Sequence, residues 1–159
     1  MNITVDTSNT EISSVDGIIY SKDKDEVYFC PMGKTGVVSL PNTINMIDKG
    51  AFSSCSKITS LIIPSSVNDI REYAFYGCSG LTSLTIKTIV PPTITTTSFG
   101  NVPKTIPIYV PCGSINNYKS SPNWNSFTNI HSSDSLFTIL NAIICQGQSY
   151  TLNGFNEDS

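Results

Sequence analysis

Residues 39–59 and 62–82 carry one pattern twice, at a constant offset of 23 residues. Pro41/Pro64, Ile44/Val67, Ile47/Ile70, Ala51/Ala74, Phe52/Phe75, Cys55/Cys78 and Ile58/Leu81 keep their chemistry, while the positions between them drift. A fixed period of this length is the mark of a solenoid: one such unit cannot bury its own apolar face, so neighbours stack into a continuous core.

The segment before each proline position alternates: Val38-Ser39-Leu40, Leu61-Ile62-Ile63, Leu84-Thr85-Ile86. Period-2 alternation sends the outer two residues to the core and the middle one to the opposite face. Pro41 and Pro64 end their strands, since proline cannot donate to a ladder. Ile44 and Ile47, or Val67 and Ile70, return to the core after a short turn, and Ala51-Phe52 or Ala74-Phe75 fill the coil. The expected fold is a right-handed β-rich solenoid with one parallel strand per coil.

The ends depart from the period. Ile3-Thr4-Val5 is a short strand candidate before a polar turn region, and residues 15–31 hold two β-prone runs around the charged turn Lys22-Asp23-Lys24-Asp25, a hairpin signal. The third unit is degraded. Pro91-Pro92 are displaced by a short insertion, Ile94 and Phe99 take the apolar roles, and Ile108-Tyr109-Val110 supplies the next strand. A short helix is expected between Gly113 and Trp124, interrupted by Pro122, then a last strand at Phe127-Thr128-Asn129-Ile130. The domain is accordingly drawn as 1–131: hairpin insert 15–36, repeats about 37–110, cap 111–131. Residues 132–159 read as a linker and the start of a truncated second β domain, too short to build its own core.

Only 13% of the chain is charged, with a formal net charge of −3 and scattered Lys and Arg. No basic stripe is present to neutralise phosphates, so no nucleic-acid partner is expected. No run approaches the roughly 18–20 apolar residues of a membrane span. The first residues, Met1-Asn2-Ile3-Thr4-Val5-Asp6, lack the basic and apolar regions of a signal peptide, and the chain is read as a segment of a longer secreted protein.

The candidates for chemistry are weak. The five cysteines, Cys30, Cys55, Cys78, Cys112 and Cys145, are an odd number with no Cys-x-x-Cys pair, which argues against a disulfide framework and a zinc site. Cys55 and Cys78 should stack about 5 Å apart on successive coils. That lies within reach of a disulfide, but their parallel side-chain vectors favour two buried free thiols. Gly33-Lys34-Thr35 imitates the end of a phosphate loop, but Tyr28 stands where that loop needs glycine. Asp23-Lys24-Asp25-Glu26 lacks the ligand spacing of a calcium loop. A His131–Cys112 nucleophile pair has no oxyanion site to serve. Asp48 beside Arg71 and Lys49 beside Glu72 would form complementary rungs on stacked coils, aids to register rather than a site. No catalytic residue, cofactor or metal ligand is expected, and the chain is read as non-enzymatic.

The exposed middle positions form a column, Ser39, Ile62, Thr85 and Tyr109, flanked by Ser60, Ser83 and Lys87. Solenoids bind along such faces, and the apolar bulk of Ile62 and Tyr109 makes this column the candidate protein-binding face. The alternative is a plain β-sheet surface on a structural spacer.

The block Ile47…Ala51-Phe52…Cys55…Ile58…Leu61…Ile63-Pro64, repeated from Ile70 to Leu84 and Ile86, resembles the BspA-like leucine-rich repeats, also described from Treponema surface proteins. The opening segment Val15-Asp16-Gly17-Ile18-Ile19-Tyr20-Ser21-Lys22-Asp23 and the closing segment Val110-Pro111…Gly113-Ser114…Tyr118…Trp124…Phe127 look like that family's insert and cap, so the resemblance covers roughly residues 1–131. Lys87 departs from it, standing where the family has its strand-ending proline, and Cys112 takes a spot more often small or charged. The tail is similar to the start of an immunoglobulin-like extracellular module of Bacteroidetes-type surface proteins. The resemblance implies a leucine-rich-repeat solenoid of a secreted or surface-anchored protein. It also implies binding of host extracellular-matrix or bacterial surface proteins and no catalysis. Separately, the unpaired strands expected at 136–159 must dock on the solenoid, pair with another copy of the chain, or remain disordered.

Overall fold

Asp16 and Gly17 both take left-handed backbone, φ 51° and 78°, as a two-residue hairpin turn matching the strand twist requires. They join β1 (Ile12–Val15) to β2 (Ile18–Ser21), with Val15 opposite Ile18. The expected hairpin around Lys22-Asp23-Lys24-Asp25 joins β2 to β3 (Glu26–Phe29). The insert is therefore a three-stranded antiparallel meander, one strand more than the sequence suggests. The computed structural model describes residues 3–133. Ile3-Thr4-Val5 forms no strand. The Val5 N–H donates instead to Ser14 Oγ at 2.9 Å, and the Asp6 carboxylate draws the chain into a turn by accepting from the Ser8 N–H at 2.8 Å.

From β3 the chain coils. The long strands β4 (Gly36–Ser39), β6 (Ile58–Ile63), β8 (Ser83–Ile86), β10 (Ile108–Val110) and β11 (Ile130–Ser132) form a five-stranded parallel sheet in the order β4-β6-β8-β10-β11. On the return leg of each coil, the two-residue strands β5 (Met46–Ile47), β7 (Asp69–Ile70) and β9 (Thr93–Ile94) pair in parallel and continue the meander sheet from β3. The solenoid expected from the period is thus present, with a second short ladder per coil. Helix α1 (Ile115–Ser120) and a single 3-10 turn (Trp124–Ser126) precede β11. The last strand begins at Ile130, not at Phe127 as expected: the Phe127 N–H closes the 3-10 turn on the Trp124 carbonyl at 3.0 Å, and its ring is buried.

The alternation puts Val38, Leu40, Leu61, Ile63, Leu84, Ile86, Ile108 and Val110 in the core. Beside them Phe52, Phe75 and Phe99 stack from coil to coil, with centroids 5.1 and 4.9 Å apart, and Trp124 closes the column at 5.5 Å from Phe99. Backbone amides link the turns that carry these rings: the Phe52 N–H donates to Ala74 O at 2.7 Å and the Phe75 N–H to Ser98 O at 2.8 Å. Few buried backbone groups can be left unpaired without cost, so these links fix the stacking distance.

Asp48 and Arg71 form the expected rung at 3.0 Å. Lys49 and Glu72, both exposed, form no ion pair. The reading of a linker and second β domain from 132 onward lies, past Ser133, outside the described residues.

Candidate functional site

Strand register aligns the predicted column. Ser39 pairs with Ile62, Ile62 with Thr85, Thr85 with Tyr109, and Tyr109 with His131. A second row runs beside it, Val37 with Ser60 and Ser60 with Ser83. Residues between these positions are buried, so both rows lie on the face turned from the core. Ser39 is exposed, and Ser60, Ile62, Ser83 and Thr85 are half-buried by their lateral neighbours. Lys87 follows β8 and is exposed, its N–H held by the Ile63 carbonyl at 2.9 Å.

Two members escape the sequence reading. Val37, 63% exposed, is among the most exposed aliphatic residues of the described chain, and its signal was the same alternation carried two residues upstream. His131 extends the column, its ring centroid 5.9 Å from that of Tyr109 and its Nε2 hydrogen-bonded with Asn129 Oδ1. The displaced last strand hid it.

The face is apolar at Val37 and Ile62, aromatic at Tyr109, and hydroxylic between. Ser83 Oγ donates to Ser60 Oγ at 2.9 Å, which ties two rungs together. No carboxylate stands on either row. Such a surface offers contact area and neutral hydrogen-bonding groups rather than charge.

The other candidates resolve into structural contacts. Lys34 Nζ donates to the Asp16 carbonyl at 2.6 Å, bracing the first hairpin turn. The Asp25 carboxylate accepts from Ser21 Oγ at 2.6 Å, closing the second. Cys30, Cys55 and Cys78 are buried and free. The Cys55 thiol donates to Cys30 O at 3.5 Å and the Cys78 thiol to Phe52 O at 3.1 Å. Burial pushes Cys78 up to about 12, while the interaction between Cys30 and Cys55 pushes the Cys30 thiol up and the Cys55 thiol down. Among the described residues no group of three His, Cys, Asp or Glu is placed to hold a metal ion, and no helix is long and apolar enough to cross a membrane.

The family model for the BspA type leucine-rich repeat region, in six copies, matches residues 26–149. The chain belongs to that family. Its Ala-Phe-x-x-Cys block now has a physical reading in this BspA-type solenoid. The phenylalanine extends the ring column, and the cysteine thiol bonds a carbonyl 25 or 26 residues earlier in the chain. Among solved structures, the chain is similar to the pneumococcal vaccine antigen PcpA in its crystal structure, with 18% identity, a TM-score of 0.42 and coverage of 84% of this chain and 50% of that one. The chain thus spans about half the length of that structure. No curated protein matches it.

Proposed function

We propose that the chain is a non-enzymatic repeat module of a secreted or surface-anchored protein, binding a protein partner on the exposed face of the five-stranded sheet. The observation that carries the reading is the unbroken row Ser39-Ile62-Thr85-Tyr109-His131, which sets aliphatic and aromatic bulk on a face with no layer over it among the described residues. Membership of a leucine-rich repeat family supports it, since stacked repeats offer extended surfaces rather than catalytic clefts. The partner class is a host extracellular-matrix or bacterial surface protein, and adhesion is the role that follows.

The test compares wild type with an Ile62→Asp/Tyr109→Asp double variant, both shown folded by circular dichroism, for binding to matrix proteins and bacterial cells. Loss of binding in the variant is expected. Equal binding by both moves the site off this face, and no binding by either leaves the molecule a spacer that presents other domains.

A further inference from the structure

A cleft of about 210 Å³ opens between the turn after β9 and the closing segment. It is built on β9 and the cap, away from the five strands of the interaction face. Ile94, Phe99 and Phe127 form its apolar floor, and Thr96 and Asn125 stand at its rim with exposed side chains.

Lys104 lines the same cleft. Its ammonium donates to the Phe99 carbonyl at 2.7 Å and sits 4.5 Å from the Phe127 ring centroid. No carboxylate is within ion-pair reach of it among the described residues, where the only ion pairs are those of Arg71. Burial lowers its pKa from the ordinary lysine value. A cation drawn partly out of water is costly without a counter-charge. A ring face and one carbonyl supply part of the compensation, yet an ammonium has three donors. The cleft therefore joins a half-buried cation lacking its anion, an apolar floor, and a hydroxyl and an amide at the rim. Its volume is below the roughly 300–1,000 Å³ of drug-sized pockets, which suits a ligand of the size of one monosaccharide.

We propose that this cleft binds an acidic sugar residue, with its carboxylate on Lys104, its ring against the Ile94 and Phe127 floor, and its hydroxyls on Thr96 and Asn125. The contact is distinct from the protein-binding face and adds a glycan specificity at the capped end of the solenoid.

The experiment is an NMR titration of the whole chain with glucuronate, glucose and acetate, following the Lys104 side chain. Glucuronate should give a saturable shift; glucose, which lacks the charged hydrogen bond, and acetate, which lacks the ring and hydroxyls, should each bind at least about tenfold more weakly. Lys104→Met keeps the aliphatic stem across Phe127 and removes the charge. It should lose the same factor, with its fold checked by the amide spectrum. Asn125→Ala, a change at an exposed position, should weaken glucuronate severalfold without touching the core. No saturable shift in wild type, equal affinity in Asn125→Ala, equal affinity in a folded Lys104→Met, or equally tight binding of glucose or acetate would each overturn the proposal.

Discussion

Phe75 lies between Phe52 and Phe99 in the ring column and is 2% exposed. Truncation to alanine removes contacts on both of its faces, and neighbours held by inter-coil hydrogen bonds have little freedom to collapse. Phe75→Ala should cost roughly 3–5 kcal/mol in denaturant melts, and a loss under about 1 kcal/mol would show that the column is not the core. Gly80 makes a different demand. A Cβ built there would sit 2.0 Å from the Ser56 carbonyl oxygen, which belongs to the neighbouring coil's backbone and has no flexible end to yield. Gly80→Ala should therefore lower Tm even though alanine restricts the unfolded chain favourably, while Lys57→Ala, the exposed repeat-mate, should leave Tm nearly unchanged. The thiols complete the residue scale. Cys30, Cys55 and Cys78 are buried, which denies a reagent access to all three, and Cys78 in addition keeps its proton to about 12. All three should label with a thiol reagent only after denaturation, and a Cys55–Cys78 link in non-reduced peptides would contradict this.

At the scale of elements, the legible parts of the fold are those with a side-chain period. The alternation in Leu61-Ile62-Ile63 and its mates located β6, β8 and β10 and told core from face, because a one-residue slip would have moved every apolar group to the wrong side. Strands β5, β7 and β9 have two residues each, too few to show any period. β1 is half-buried at all four positions, so its Ile-Ser-Ser-Val sequence lacks contrast between faces. The candidate face was readable from Ser39 to Tyr109, but His131 lies behind the cap, on a strand that the sequence reading ends at Ile130. The Lys104 cleft was not legible, since it joins a loop, β9 and the cap, which share no local pattern. The cap itself is tied down by two buried bonds, Trp124 Nε1 to the Pro92 carbonyl at 2.7 Å and Tyr118 OH to the Thr88 carbonyl at 3.0 Å. Trp124→Phe keeps an aromatic ring on the column but leaves the Pro92 carbonyl unpaired. It should cost roughly 1–3 kcal/mol, read as a shift in denaturant midpoint without a change in slope.

At the scale of the whole molecule, one apolar cluster runs from Ile18 in the meander to Ile130 in the last strand. The described residues thus share a single core, and their unfolding should be cooperative. That links the fate of every buried titratable group to one transition. Burial raises the pKa of Tyr20, Cys78 and Tyr118. In the unfolded chain a thiol titrates near about 8.5 and a tyrosine near about 10. Above roughly pH 9 the unfolded state therefore gives up protons that the folded state keeps. The unfolded state then binds fewer protons, so stability falls as pH rises. Each such group contributes a slope of roughly 1.4 kcal/mol per pH unit between its unfolded and folded pKa values; for Cys78 that window ends at about 12. The expected Tm profile has no contribution from these groups at neutral pH and falls progressively from about pH 9 upward. Cys78→Ala should flatten the first part of the fall while lowering the neutral Tm through its cavity. A melting temperature unchanged to about pH 11 in wild type would mean that the Cys78 thiol and these phenols are already open to water, and that the single core does not hold as a unit.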